Sequence, residues 1–248
     1  TEYINSDGKV TALSTIGAKV VFKRSSRSVA FDDTSAAYTN LPTKLASKYK
    51  TIKDSDGNDY PFYYKAVVNK EDGTKTVDYV TAEITITDTI VKAKDIIFSL
   101  NGLKVTATDS ITNGNVTVKT LEIPVFTTIG EPELVALVKD GTEKQKVIGA
   151  MTVIPIKDVG TVNISLVPVN GVTISSADIE AVKRIYSQAG VTLNITTLPA
   201  YQDRSITTLE CGTSGFIANY TTEQNAFIDR YKASKTVSDN QYLLFVTK

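Results

Sequence analysis

The chain of 248 residues has no histidine and no tryptophan, one cysteine and one methionine. Without an imidazole there is no Ser-His-Asp or Cys-His relay, no histidine-ligated zinc and no histidine pH switch in this polypeptide. An enzyme made of these residues has to work through carboxylates, lysine, tyrosine or a cofactor. The one thiol, Cys211, excludes an internal disulfide framework and a four-cysteine metal site, and reads as a small apolar residue. No apolar run approaches the roughly 20 residues that a membrane-spanning helix needs. The glycine-rich phosphate loops G-x-x-x-x-G-K-[ST] and G-x-G-x-x-G do not occur. An excess of one charge is missing too, since 27 basic residues balance 27 acidic ones. That balance argues against general binding to nucleic acid or anionic membranes. The small basic cluster Lys23, Arg24 and Arg27 around Ser25 and Ser26 reads as a solvated strand end.

What the chain does have is β pattern. Its apolar content of 42% suits a folded protein with a sizeable core. Short extended runs are expected at 9–13 and 18–22, then mostly loop over 31–50 with a single helical turn. Turns at Asp56-Gly57, Asp72-Gly73, Asn101-Gly102, Asn113-Gly114 and Asp140-Gly141 punctuate the next hundred residues. Between them, residues 80–87 alternate apolar and polar, the period-2 signature of a sheet with one wet face. Turns every ten to twelve residues predict Ig-like β-sandwich modules. We divide this half into modules 1–90 and 91–158, and Pro155 marks a sheet edge or strand terminus.

From residue 161 to 198 the pattern changes to strand, capped helix, strand. Ser175 caps the helix with Asp178 as its box partner, and Gly190 suits the left-handed residue that ends it. Ile179, Val182, Ile185 and Tyr186 recur at helical spacing and predict a buried face. A parallel pair with a right-handed crossover is the simplest arrangement. A loop over 199–215 precedes a second helix over 220–233, where Thr221 and Gln224 form a capping box and Phe227, Ile228 and Tyr231 an apolar face. A strand over 241–247 follows. The fold class expected is multidomain: N-terminal all-β, followed at 159–248 by an α/β domain with a mixed sheet and two helices.

Several local motifs have ordinary structural explanations. Residues 54–59 (DSDGND) have a calcium-loop flavour, but an EF-hand wants Gly sixth and Glu twelfth, where Asp59 and Lys65 stand. The segment 211–215 (CGTSG) lacks a histidine base and reads as a flexible loop. Tyr60, Tyr63 and Tyr64 are read as cross-strand packing rather than a ligand platform. Asp178, Glu180, Asp203 and Glu210 are the carboxylates nearest the α/β pattern, and nothing in the sequence pairs them for acid–base work.

The succession SLVPVNG (165–171), IYSQAGV (185–191), VTLNIT (191–196), NYTTEQNAFIDRYK (219–232) and QYLLFV (241–246) resembles the front half of a zincin-like metallopeptidase domain. More narrowly, it is similar to those that follow β-modules in large secreted proteins of Bacteroidota. The preceding VIGAMTVIPIKD (147–158) is similar to the β-module ending that leads into them. The resemblance implies a mixed sheet leading to a helix with H-E-x-x-H, whose histidines bind zinc and whose glutamate is the general base. That motif is not in this chain, so no catalytic, cofactor-binding or metal residue is carried over. Zinc is expected only with a downstream H-E-x-x-H segment. The expected protein is thus an extracellular or cell-surface one, truncated and inactive alone. It would be a processed or trimmed polypeptide, since it starts at Thr1. The competing expectations are a surface-adhesion, ligand-binding or structural β-module protein, or an enzyme using those carboxylates. A protein or peptide partner is expected along the strand edge 241–247, with neither nucleic acid nor a membrane span involved.

Overall fold

The computed structural model describes residues 4–26, 28, 30–34, 40, 42–69, 78–124, 130–139, 144–206, 220–237 and 242–247. Arg27, the turns at 72–73 and 140–141, Glu210 and the segment 211–215 lie outside the described residues. The fold is mostly strand, with three α-helices among the described residues, and it divides into two units at residue 158. Residues 188–190 are grouped with the first unit.

In the first unit, period-2 alternation decides which side chains go inside. β6 (Asp78–Ile86) buries every second residue from Asp78 to Ile84. β1 (Ala18–Lys23) and β10 (Val116–Ile123) pair with it, and β9 (Ala107–Asn113) lies outside β10, giving an antiparallel sheet β1-β6-β10-β9. A second sheet is made by β2 (Phe31–Asp32), β5 (Tyr64–Asn69), β7 (Ile97–Leu100), β8 (Leu103–Val105), β11 (Glu133–Lys139) and β12 (Gln145–Lys157). Its order is β2-β5-β12-β11-β7-β8, antiparallel except where β5 runs parallel to β12. Val20, Phe22, Val80, Ile84 and Leu121 of the first sheet share one core with Phe98, Leu100, Leu134, Met151 and Val153 of the second. Strands from both sides of residue 90 therefore interleave in both sheets, and the division expected near residue 90 separates neither a sheet nor a core.

A smaller core lies on the other side of the second sheet. Val10, Leu13, Ile52, Tyr60 and Phe62 pack there against Val135, Val147 and Ala150. β3 (Ile52–Lys53) and β4 (Asp59–Tyr60) form a hairpin over it. The run 9–13, expected as a strand, makes only isolated bridges, Ile4 with Val10 and Leu13 with Asp54. Where β1 passes β12, a Cβ on Gly149 would stand 2.4 Å from the Val20 carbonyl oxygen, so only glycine fits. Beside that contact the Tyr60 hydroxyl donates to Val20 O at 2.7 Å and accepts from Ala150 N at 3.2 Å.

Of the turn and proline expectations, only the turn at Asn113-Gly114 is shifted. Pro155 sits in a strand with neighbours on both sides, but β11 ends opposite Thr152, so only β5 flanks it. That leaves its missing N–H without a ladder partner to disappoint. Asn101 and Gly102 both have positive φ (48° and 82°), the type I′ pattern. The next hairpin is closed instead by Gly114 and Asn115, since Asn113 pairs with Val116 and only Gly114 is left-handed there. Among the described residues of 31–50 there is one helical turn, α1 (Thr43–Ala46).

Among the described residues the second unit has a sheet of three strands, β14-β13-β15, all parallel where a mixed sheet was expected: β13 (Gly160–Pro168), β14 (Val191–Thr197) and β15 (Tyr242–Val246). α2 (Ser176–Ser187) connects β13 to β14, and α3 (Thr222–Ser234) precedes β15. Both helices start on capping boxes. Ser175 Oγ accepts from Asp178 N at 3.1 Å while Asp178 Oδ2 accepts from Ser175 N at 3.3 Å. Thr221 Oγ1 accepts from Gln224 N at 3.1 Å while Gln224 Oε1 accepts from Thr221 N at 2.9 Å. Gly190, at φ 73°, supplies the left-handed residue after α2. The buried face expected for α2 is only half realised. Ile179 and Val182 are half-buried, whereas Ile185 is 58% and Tyr186 49% exposed. α3 does bury Phe227 and Tyr231. No helix among the described residues is long and apolar enough to cross a membrane.

Candidate functional site

In open parallel sheets the crevice outside the carboxyl ends of the strands is where ligands bind, and the best-built polar cluster of the second unit lies there. Beyond β13, Asn170 (φ 52°) and Gly171 (φ 78°) turn the chain in the left-handed region. Beyond β14, Tyr201 bridges Val169 and donates its N–H to Pro168 O at 2.8 Å, while Asn170 N donates to Tyr201 O at 3.0 Å. The Asn170 side chain then clasps the backbone of Asp203: its Oδ1 accepts from Asp203 N at 2.9 Å and its Nδ2 donates to Asp203 O at 3.0 Å. The Asp203 carboxylate is buried, with Oδ2 accepting from Arg230 Nε of α3 at 2.9 Å and Oδ1 accepting from Ser205 N at 3.0 Å. The Ser205 hydroxyl also donates to Oδ1. The Ser205 hydroxyl, and after it the Arg230 guanidinium, hold the Asp203 carboxyl below the usual carboxylate range. Under this cluster the rings of Tyr201, Phe227, Tyr231 and Phe245 pack edge-on or tilted at 4.8–5.9 Å between centroids. The arrangement ties the segment after β14 to α3. It leaves Asp203 saturated with donors, a poor proton acceptor.

The other carboxylates singled out from sequence are not gathered with it. Asp178 is occupied in the α2 cap, and Glu180 pairs with Lys183 at 2.8 Å one turn along the same helix. No group of three metal-ligating side chains occurs among the described residues. In the 54–59 turn Asp54 Oδ1 accepts the N–H groups of Asp56 and Asn58 at 3.1 and 2.9 Å. That is an Asx turn with its carboxylate turned to the backbone. Tyr60 and Phe62 are core residues, and burial pushes the Tyr60 hydroxyl far above the ordinary tyrosine range. Of the basic cluster, Lys23 pairs with Glu83 at 2.7 Å and Arg24 donates to Phe31 O at 2.8 Å.

Two polar features of the first unit escaped sequence reasoning. Lys65 and Asp78 form an ion pair at 2.5 Å with side chains 0% and 3% exposed, joining β5 of one sheet to β6 of the other. Burial pulls the Lys65 ammonium below the ordinary lysine range while Asp78 opposes the shift. Alternation supplied a signal: Lys65 stands two residues before Val67, on the same inward face. The second is Glu133, buried, which accepts from Val10 N at 2.6 Å and from Lys50 Nζ at 2.9 Å. Lys50 also donates to Val10 O and lies 5.0 Å above the Phe62 ring. This linkage straps the segments at Val10 and Lys50 to β11 of the second sheet. An open groove of about 490 Å³ runs beside it, lined by Lys9, Ser99, Asn101, Glu131 and Gln145 among others.

No protein-family model matches the chain, and no curated protein or solved structure matches it.

Proposed function

We propose that this chain is a non-catalytic portion of a secreted metallopeptidase-like protein. In this reading the first unit is an Ig-like spacer and binding module, and the second is the front layer of a zincin-like α/β domain. The observation that carries the reading is the parallel β13–α2–β14 unit with α3 and β15 following, matching the order of the motifs that resemble that family. The chain contributes framework: capped helices, an aromatic layer and the Asn170–Asp203–Arg230 tie. Zinc and its ligands would come from residues outside these 248. The test is to sequence the native gene and assay both its full product and this chain against a peptide library. A downstream H-E-x-x-H, zinc-dependent cleavage by the full product and none by this chain are expected. A native gene without that motif, or cleavage by this chain alone, would end the proposal.

The groove beside the Glu133 strap favours a second reading, a surface module that binds a ligand through the first unit. Binding of a glycan or peptide by the whole chain, lost on Gln145→Ala or Ser99→Tyr, would promote it. Unchanged binding in both variants would remove it.

A further inference from the structure

The sequence holds three Asn-Gly pairs, at 101–102, 113–114 and 170–171. In such a pair the glycine nitrogen attacks the side-chain Cγ of the asparagine, unhindered by a Cβ. A new N–Cγ bond closes a five-membered succinimide, the bond from Cγ to the side-chain nitrogen breaks, and ammonia leaves. Water then opens the ring at either carbonyl, giving aspartate or isoaspartate. No cofactor or oxidant takes part, so local geometry decides the rate.

Two of the pairs differ sharply in that geometry. Asn170 is held at both ends of its amide by the backbone of Asp203, 2.9 Å from N and 3.0 Å from O. Its own N–H is fixed to Tyr201 O at 3.0 Å. Turning Cγ toward the Gly171 nitrogen requires breaking both side-chain bonds. Asn113 is the opposite case. It ends β9, an edge strand exposed along nearly its whole length, and its side chain makes no hydrogen bond among the described residues. The following Gly114, at φ 60°, is the first turn residue. Asn101 sits within a type I′ turn and stands outside this contrast.

We infer that Asn113 is a site of spontaneous deamidation, and that Asn170, the same dipeptide chemically, is protected by its clasp on Asp203. Two ordinary hydrogen bonds correspond to a rate difference of about thirtyfold. Protection falls where conversion would do most harm. A carboxylate at 170 would lose its donor and set an anionic oxygen against the Asp203 carbonyl, opening the tie between β13 and the segment after β14. Conversion at 113 instead adds one negative charge to a chain of zero net charge. As isoaspartate it also adds a backbone methylene beside the β9–β10 turn.

The test is a timed incubation of the full chain in mildly alkaline buffer, folded and in concentrated urea, followed by peptide mapping with isoaspartate detection. Folded protein should convert at Asn113 and stay intact at Asn170, while in urea the two should convert at comparable rates. The variant Asn113→Gln should lose the shift from its peptide while leaving Asn170 intact. Equal conversion of Asn113 and Asn170 in folded protein would overturn the inference. So would an Asn113 that converts only in urea, or a preference for Asn113 that persists unchanged in urea.

Discussion

The two units bury apolar side chains by different means, and to different depth. In the first, two sheets face each other across a core fed by strands from the whole of residues 18–153, and each sheet needs only one apolar face turned inward. Each fully buried side chain there contributes a gross of about 1.5–3 kcal/mol, an upper figure because the unfolded chain is partly collapsed. In the second, a parallel sheet needs cover on both faces. α3 supplies some of it through Phe227 and Tyr231, but α2 buries no residue fully. Tyr242 and Leu244 of β15 remain 67% and 45% exposed, on the face they share with Ile164 and Leu166. The lesson is that helix-forming signals and helix burial are separate properties. α2 has a sound cap, a sound C-terminal glycine and an apolar stripe, yet half that stripe faces water.

The comparison can be broken at the point where the first unit is most committed. Lys65→Met leaves the Asp78 carboxylate buried and unpaired, with an expected loss of about 3–5 kcal/mol by denaturant titration. Lys65→Met with Asp78→Leu should recover most of it, as both side chains of the pair are buried. A single variant as stable as the parent would show that the two sheets are not closed around this pair. Next in size, Tyr60→Phe removes a hydroxyl that serves both Val20 O and Ala150 N. A loss of about 1–3 kcal/mol is expected in the same titration.

Effects in the second unit should be smaller. Thr221→Ala deletes the α3 cap at a cost of about 1 kcal/mol, read from the helical signal of the second unit on heating. The tie at Asp203 gives a sign for acid. Its carboxyl titrates lower in the folded protein than in the unfolded chain. The unfolded state therefore binds more protons in that range, and the stabilisation is present above pH about 4. It fades as pH falls through the folded value, and Asp203→Asn should flatten that part of the profile. Last, Ile185→Gln should change stability by less than about 0.5 kcal/mol, as a surface substitution. A large loss would mean that the exposed stripe of α2 is in fact covered.

How much was legible beforehand depended on range. The capping boxes at Ser175 and Thr221, the type I′ pair Asn101-Gly102 and the alternation along β6 are contained within a few residues, and the sequence displays them directly. The sheet order was not, because β5 and β12 meet in parallel across some ninety residues of chain, with β6 assigned to the other sheet. The division near residue 90 failed for that reason: local turns punctuate a sheet without saying which sheet it is. Lys65 escaped notice because a lysine in a strand ordinarily points to water. The clasp of Asn170 on Asp203 spans 33 residues and depends on a left-handed backbone that the Asn-Gly pair hints at only in part.

Native-state hydrogen exchange measured amide by amide bears most directly on the central contrast. If the first unit is one cooperative body, amides of β1, β6, β10 and β12 exchange through a common opening of a single free energy, on both sides of residue 90, and α2 exchanges through a cheaper one. Two distinct free energies for the strands before and after residue 90, or an α2 protected as strongly as β6, would contradict the account.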